Sequence, residues 1–333
     1  MDFFAELVGQ NRAVELLTQA VAQNRIAPAY LFAGPEGIGR SMAAQCFVDL
    51  LFCANVPATE PDAPESPVIK EGSKGSIASI KNRLRQGNHP DLFWVQPTYL
   101  HQGQRLSAAE AAEAGVKRKA PPQIRLEQIR EITQFLGRSA LEAPRSLVVL
   151  EQAETMAEAA ANALLKTLEE PGRATLVLIA PTQSSLLPTL VSRCQHIPFY
   201  GLDSAAMEQV LRKTGHEEIL EHPTVLAIAQ GSPGNAIASW EQLQTIPQDL
   251  LQDVIHLPKS FRDALELAKR IDKTLDTEAQ LWLVDYLQHT YWQQFLNGVI
   301  HKLPLQQLEK ARQSLLSYAQ PRLVWEVTLL EMI

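Results

Sequence analysis

The sequence predicts an α/β domain with a parallel five-stranded sheet over residues 1–200, followed by an all-helical remainder. Up to about residue 200, short apolar runs alternate with amphipathic helical segments. Beyond it, no further strand-like runs occur. Strands that are apolar along their whole length are typical of parallel sheets whose two faces are covered by helices.

Each element follows from a local pattern. The five predicted strands are short apolar runs at 30–33, 92–95, 147–150, 176–179 and 196–199. The helices predicted from apolar periodicity lie at about 10–24, 41–52, 124–135 and 153–170. Two polar segments without periodicity, at about 54–82 and 98–122, are interpreted as insertions. The second contains a basic triplet at 117–119, which is more typical of a solvated loop than of a DNA contact.

The helical remainder is predicted to form two further domains, over 201–245 and 246–333. A Gly-Ser-Pro-Gly break at 231–234 lies within the first, and helices at about 260–272, 277–300 and 305–331 build the second. Wide aromatic side chains in such a region are predicted to be core or subunit-contact residues. The tryptophans concerned are Trp240, Trp282, Trp292 and Trp325.

Composition excludes several classes of protein. The chain has 333 residues, enough for two or three domains, and its net charge of −7 argues against wrapping duplex DNA on its own surface. No apolar run of 18 residues and no signal-peptide pattern occur, which favours a cytoplasmic protein. The three cysteines are scattered, which predicts core positions and neither a zinc site nor any other metal site.

One motif carries chemistry. The first strand runs into the segment Gly34–Ser41, which fits the phosphate-loop template G-x-x-x-x-G-K-[ST] in spacing and in its strand–loop–helix context. The backbone N–H groups of such a loop hold phosphate oxygens, and the Ser41 hydroxyl would meet magnesium. Three glycines of the loop are candidate nucleotide-binding residues: Gly34, Gly37 and Gly39. The alternative interpretation is a corner retained for packing.

Two positions depart from a working ATPase. Arg40 replaces the lysine of the template, and a wide planar guanidinium is not equivalent to a compact ammonium between phosphates. The predicted strand at 147–150 is followed by Glu151 and Gln152, where an ATPase of this type needs an acidic pair. An amide cannot accept a proton as a general base. The sequence therefore predicts weak binding of ATP or ADP and little hydrolysis.

Several ordered motifs over about 200 residues resemble the AAA+ clamp-loader subunits of bacterial DNA polymerase III. The matching segments are Phe4–Gln10, Arg25–Phe32, the H-P-D stretch Gly87–Leu92, Ile124–Phe135, Asn162–Pro171 and the S-R-C stretch Leu190–Gln195. The resemblance implies a P-loop AAA+ module, a small helical lid over 201–245 and a helical collar over 246–333. Many family members hold zinc with four cysteines after the first helix, whereas here only Cys53 is present in that region.

The resemblance also implies roles for single residues. In this family the arginine of S-R-C points at ATP bound to the neighbouring subunit, and Arg193 falls on that position. A guanidinium supplied by another subunit can stabilise charge on a terminal phosphate. The alternative for Arg193 is an ordinary surface ion pair. Active subunits also carry a lid arginine where this chain has Gly234, so the resemblance implies a ring subunit that donates an arginine without hydrolysing ATP itself.

The partners implied by the resemblance are ATPase subunits of the tau/gamma type and a delta subunit in a hetero-pentameric ring, with the sliding clamp and primed DNA engaged through the complex. The chain would thus belong to a DNA-directed DNA polymerase holoenzyme without needing a cofactor of its own. Two alternatives remain open at this point. One is a weak ATPase that uses Arg40, Ser41 and Glu151, and the other is a stand-alone DNA-binding protein, which the net charge of −7 disfavours.

Overall fold

The computed structural model describes residues 2–53, 77–114, 121–169 and 172–333. The chain divides into two compact units, 1–201 and 202–333. No helix among the described residues is long and apolar enough to cross a membrane.

The first unit is an α/β domain. Its elements in chain order are α1 (Asn11–Ala22), β1 (Ala29–Ala33), α2 (Arg40–Cys53), α3 (Ile77–Arg85), β2 (Leu92–Val95), β3 (Tyr99–His101), β4 (Gln104–Leu106), α4 (Ala108–Glu113), α5 (Leu126–Leu136), β5 (Ser146–Leu150), α6 (Glu158–Glu169), β6 (Ala174–Ala180), α7 (Pro188–Val191) and β7 (Gln195–Pro198). Single turns of 3₁₀ helix lie at Ala153–Thr155 and Gln183–Ser185.

Five strands form one sheet in the order β2-β5-β6-β1-β7, and each neighbouring pair is parallel. Strands β1, β5 and β6 are buried along their whole length, because helices cover both faces of the sheet. One core cluster joins these strands to α5 and α6 through residues such as Leu31, Val148 and Leu164. The predicted five-stranded parallel sheet is therefore confirmed.

One prediction inside this unit is wrong. The predicted helix at 153–170 is broken, because Met156 is extended and bridges Ile124, so that α6 begins only at Glu158. The segment 98–122, interpreted as an insertion, contains the antiparallel pair β3–β4 and the short helix α4, and its being an insertion stays a prediction. Part of the predicted 54–82 insertion, at 77–82, belongs to α3, and its remainder at 54–76 lies outside the described residues, as does the basic triplet at 117–119.

The second unit is helical in its described residues, as predicted. Its helices are α8 (Ser204–Lys213), α9 (Pro223–Ala229), α10 (Pro233–Thr245), α11 (Gln248–Ile255), α12 (Phe261–Thr274), α13 (Thr277–Leu296), α14 (Leu305–Leu316) and α15 (Pro321–Leu330), with a 3₁₀ segment at Glu217–Glu221. The single helix predicted at 305–331 is wrong: Tyr318 adopts a positive φ of 58°, and Pro321 starts a new helix.

The core of 246–333 is built from one cluster of buried residues. Trp325 is fully buried there and donates from Nε1 to Gln280 Oε1 at 2.9 Å, while Tyr291 donates its hydroxyl to Val254 O at 2.7 Å. Trp282 is also buried, whereas Trp292 is exposed. The boundary between predicted helical domains at residue 245 stays a prediction.

Candidate functional site

The phosphate-loop segment Gly34–Ser41 joins the end of β1 to the start of α2. Gly37 and Gly39 have φ angles of 74° and 97°, a conformation that side chains rarely adopt. Arg40 is the first residue of α2, and Ser41 is exposed beside it in the first turn. The loop therefore brings together the residues that the sequence predicts, at the positive end of a helix dipole.

Packing around residue 34 requires a glycine at this position. A Cβ atom at this position would lie 2.4 Å from the carbonyl oxygen and 2.7 Å from the Cβ of Phe199. The chain after β7 thus passes directly against the start of the loop, and only glycine fits there. For this residue the packing interpretation of the corner has a concrete basis.

Gln10 is a residue of this corner that sequence reasoning missed. Its buried side chain donates from Nε2 to Tyr200 O at 2.8 Å and to Ile38 O at 3.4 Å, and its Oε1 accepts the Tyr200 N–H at 3.3 Å. The contact joins residues 190 positions apart, so no local pattern announces it. Gln10 fixes the position of the loop and of the chain after β7 relative to each other.

Arg40 lies among carboxylates. Burial lowers the pKa of its guanidinium, and the negative charges of Glu154, Glu36 and Glu151 oppose that shift. Its Nη1 atom is buried without a hydrogen-bond partner, and so is Oε2 of Glu154. Burial raises the pKa of Glu154, while the charge of Arg40 lowers it. With three carboxylates around one guanidinium, the surroundings of Arg40 repel a polyphosphate more than those of an isolated cation would.

Glu151 is already engaged. It follows the end of β5, its N–H donates to Val95 O at 2.9 Å, and its Oε2 accepts from Gln96 Nε2 at 2.8 Å. The next residue, Gln152, is exposed with a positive φ of 47°. The structure thus places Glu151 within electrostatic reach of Arg40 and adds Glu154, whose part in the site the sequence did not show.

Arg193 lies between α7 and β7, just before the strand begins. Its Nη1 donates to Thr189 O at 3.0 Å and its Nη2 to Glu169 Oε1 at 2.9 Å. The side chains of this ion pair are 39% and 56% exposed. The surface ion pair that the sequence left open as an alternative is therefore present in this chain.

Arg193 lies at the amino-terminal ends of the parallel strands, whereas the phosphate loop lies at their carboxyl-terminal ends. Tyr30 pairs with Gln195 and Ala33 with Pro198, so β1 and β7 run side by side in the same direction. Arg193 precedes the paired stretch and the loop follows it. Four strand residues span about 13 Å at about 3.3 Å each. Arg193 is thus well beyond hydrogen-bonding distance of its own loop.

Other predicted positions have structural tasks. Asp91 of the H-P-D stretch is buried, and its carboxylate accepts the N–H groups of residues 141–143 at 2.7–2.8 Å. Gly234 lies in the first turn of α10, two residues after the N-cap Ser232, and therefore brings no cation to that position.

Comparison with protein-family models gives two matches that together span nearly the whole chain. Residues 9–203 match the model described as "DNA polymerase III, delta subunit". Residues 205–332 match the model described as "Cyanobacterial DNA polymerase III delta prime, C-terminal domain".

Curated relatives carry related names. The chain is 32% identical over 205 residues to the DNA polymerase III subunit delta' of Bacillus subtilis. This alignment covers 61% of this chain and 51% of the relative. It is 33% identical over 221 residues to the delta' subunit of Pseudomonas aeruginosa, with 66% and 57% covered. The subunit tau of Bacillus subtilis is 25% identical over 255 residues, with 75% and 39% covered. The chain thus spans about half the length of the two delta' relatives.

Among solved structures, a DNA polymerase III gamma subunit-related protein from Thermotoga maritima superposes with a TM-score of 0.47 at 18% identity, covering 96% of this chain and 98% of that one. The RuvB Holliday junction branch migration motor of Thermotoga maritima gives a TM-score of 0.45 at 12% identity, covering 97% and 90%.

Proposed function

The chain belongs to the DNA polymerase III delta prime family, and from this premise we propose that it is a largely non-catalytic ring subunit of the clamp loader. Its proposed partners are ATPase subunits of the tau/gamma type and a delta subunit in a hetero-pentameric ring. Through that complex it would act on the sliding clamp and primed DNA in the cytoplasm. In this role it needs neither bound nucleotide nor zinc.

The placement of Arg193 at the amino-terminal ends of the strands, away from its own phosphate loop at their carboxyl-terminal ends, carries this proposal. A guanidinium in that place is too far from a nucleotide bound in the same chain's loop to contact it, but it is available to a nucleotide bound by a neighbouring subunit. Two of its five N–H groups are engaged, at Thr189 and Glu169, which leaves three donors for phosphate oxygens. Release of an exposed ion pair costs only about 0.2–1 kcal/mol, so turning Arg193 toward a phosphate is inexpensive.

The surroundings of Arg40 support the non-catalytic part of the proposal. A nucleotide in the loop would have to bring its own negative charge to a guanidinium that Glu36, Glu151 and Glu154 already face. Since Gln152 cannot act as a base, the loop lacks the second carboxylate of the reaction. These two features favour weak nucleotide binding over turnover.

The test is reconstitution of the complex with its ATPase and delta subunits. Arg193→Ala should leave the mass of the assembled complex unchanged and reduce clamp loading at least tenfold, because an arginine supplied by another subunit contributes about 10³–10⁵ to such a reaction. Arg12→Ala is the matched control, since Arg12 also forms an exposed ion pair, to Glu15 at 2.7 Å. Normal loading by the Arg193 variant would refute the role given to this residue.

The weak-ATPase alternative is separated by a titration of the isolated chain with a labelled ATP analogue. The proposal expects weak binding that magnesium does not strengthen and no turnover above background. Tight magnesium-dependent binding, together with faster hydrolysis by Arg40→Lys, would establish the alternative instead.

The collar contact can be tested on an exposed apolar surface of the second unit. Four apolar residues here are more than half exposed: Leu316 at the end of α14, Tyr318 in the turn after it, and Leu323 and Val327 on α15. A cavity of about 570 Å³ lies between these helices and is lined partly by Leu323 and Val327. Val327→Asp should block ring assembly while the isolated chain keeps its melting temperature, whereas full assembly would exclude this surface as a subunit contact.

A further inference from the structure

Two adjoining cavities lie at the amino-terminal ends of the strands, and the proposed function does not use them. One has a volume of about 520 Å³ and lies between the end of α5 and the starts of β5 and β6. The other, of about 330 Å³, lies beneath the start of β1. They share Pro144, Arg173 and Ala174 in their linings. The phosphate loop follows the opposite end of β1, so the cavities are separate from it.

Three arginines line these cavities. Arg138 and Arg173 line the larger one, and Arg145 and Arg173 the smaller one. Over the described ranges of the chain, none of the three forms an ion pair with a carboxylate within 4 Å, although nine other arginines do. The cavities thus carry a local excess of positive charge on a chain whose net charge is −7.

The acidic groups nearby have other partners. Glu142, on the loop between the larger cavity and α3, forms a two-pronged ion pair with Arg83, with a second contact at 3.0 Å. Asp91 accepts three backbone N–H groups from residues 141–143 of the same loop. The same two contacts fix the loop in place. These carboxylates therefore do not neutralise the arginines that line the cavities, and the loop beside the larger cavity is held in a fixed conformation.

Of the three arginines, Arg145 is the one whose positive charge is most clearly destabilised by burial. It is half-buried, and burial lowers its pKa, with only the Tyr30 phenol opposing the shift. Its Nη1 donates to the buried Thr175 Oγ1 at 2.9 Å, which fixes one end of the guanidinium, and Arg145 also lines the smaller cavity. A desolvated cation without a counter-ion is stabilised when an anion takes that place.

We propose that these two cavities form a binding site for a small oligophosphate anion, such as pyrophosphate or the phosphate chain of a free nucleotide. Planar guanidinium groups bind phosphate oxygens in pairs, and two cavities that share Arg173 suit two linked phosphates. The Ser139 and Ser146 side chains in the larger cavity add hydroxyl donors. A recessed site on a chain of net charge −7 favours a small anion over a long nucleic acid, whose distant phosphates this chain repels.

Calorimetric titration of the full chain with inorganic pyrophosphate tests the site. Arg173→Gln, at an exposed residue, should weaken binding about tenfold or more, the scale of one lost charge-assisted hydrogen bond. Arg145→Gln should weaken pyrophosphate binding to the same degree, in a variant whose melting temperature equals that of the unsubstituted chain. Arg130→Gln, an exposed position on α5 with the same charge change, is the control and should leave affinity within about twofold.

Four outcomes would overturn the inference. Pyrophosphate could fail to bind, or Arg130→Gln could weaken it as much as Arg173→Gln, which would show charge alone. Loss of binding in Arg40→Gln with full binding in Arg173→Gln would place the anion in the phosphate loop instead. A single-stranded oligonucleotide that binds tighter than pyrophosphate through Arg173 would replace the small anion with nucleic acid. None of these results depends on assembly into a ring, so the proposed clamp-loader role is tested separately.

Discussion

Substitution of Gly34 by alanine probes why this loop keeps its glycine. The added Cβ would sit 2.4 Å from Phe199 O and 2.7 Å from Phe199 Cβ, closer than such atoms approach in proteins. Phe199 cannot retreat easily: its N–H donates to Ala33 O at 2.8 Å, and its ring packs on Phe32 at 5.4 Å between centroids. Relief of the clash must therefore shift backbone at the junction of β1 and β7.

Overpacking of this kind costs about 1–3 kcal/mol. For a unit of about 200 residues, each kcal/mol lowers the melting temperature by about 2–4 °C. Differential scanning calorimetry of the full chain measures the shift. Gly137→Ala is the matched control, because its φ of −69° suits alanine and the nearest atoms to its new Cβ lie 3.5 Å away. We expect the control to lose no stability.

An unchanged melting temperature in Gly34→Ala would refute the packing argument. If the variant instead kept its stability and lost nucleotide affinity, Gly34 would serve phosphate binding alone. A loss of stability in Gly137→Ala equal to that in Gly34→Ala would show that glycine replacement, and not the contact with Phe199, causes the effect.

Three further perturbations test the site and the two cores. Burial raises the pKa of Glu154 in the folded state, so its ionised form opposes folding. Glu154→Gln should therefore raise the free energy of unfolding measured in urea at pH 8. This gain should vanish below about pH 4.3, the ordinary glutamate pKa, where the carboxyl group is protonated in both states. Asp91→Ala removes the acceptor of three backbone N–H groups, so hydrogen exchange at 141–143 should accelerate and stability should fall by about 2 kcal/mol; unchanged exchange would contradict this. Trp325→Phe leaves Gln280 Oε1 without its donor inside the helical core and should cost about 2–3 kcal/mol by denaturant midpoint, while a neutral result would show that water replaces the indole.

Much of the fold could be predicted because the chain's local patterns are strong. The strands at 30–33, 92–95 and 147–150 were placed within one residue, since uninterrupted apolar runs bounded by turn residues leave few alternatives. The split at Pro321 was missed, although proline starts helices more readily than it continues them and so marked the place. The break before α6 had no such local signal, because the extended conformation of Met156 depends on a bridge to Ile124, 32 residues earlier.

The site divides in the same way. The spacing of Gly34–Ser41 and the presence of Arg40 and Glu151 could be seen in the sequence, because a phosphate loop is a contiguous motif. The contributions of Gln10 and Glu154 could not, since they reach the loop from distant segments.

The sequence by itself determined which chemical groups this protein has: a phosphate loop with arginine for lysine, an amide in place of a catalytic carboxylate, and an arginine ahead of the last strand. Only the tertiary structure decided what those groups face. It surrounded Arg40 with carboxylates, paired Arg193 with Glu169 and set the two arginines at opposite ends of neighbouring parallel strands. The reason is physical: backbone conformation follows largely from neighbours in the chain, whereas desolvation and charge pairing depend on groups that folding alone brings together.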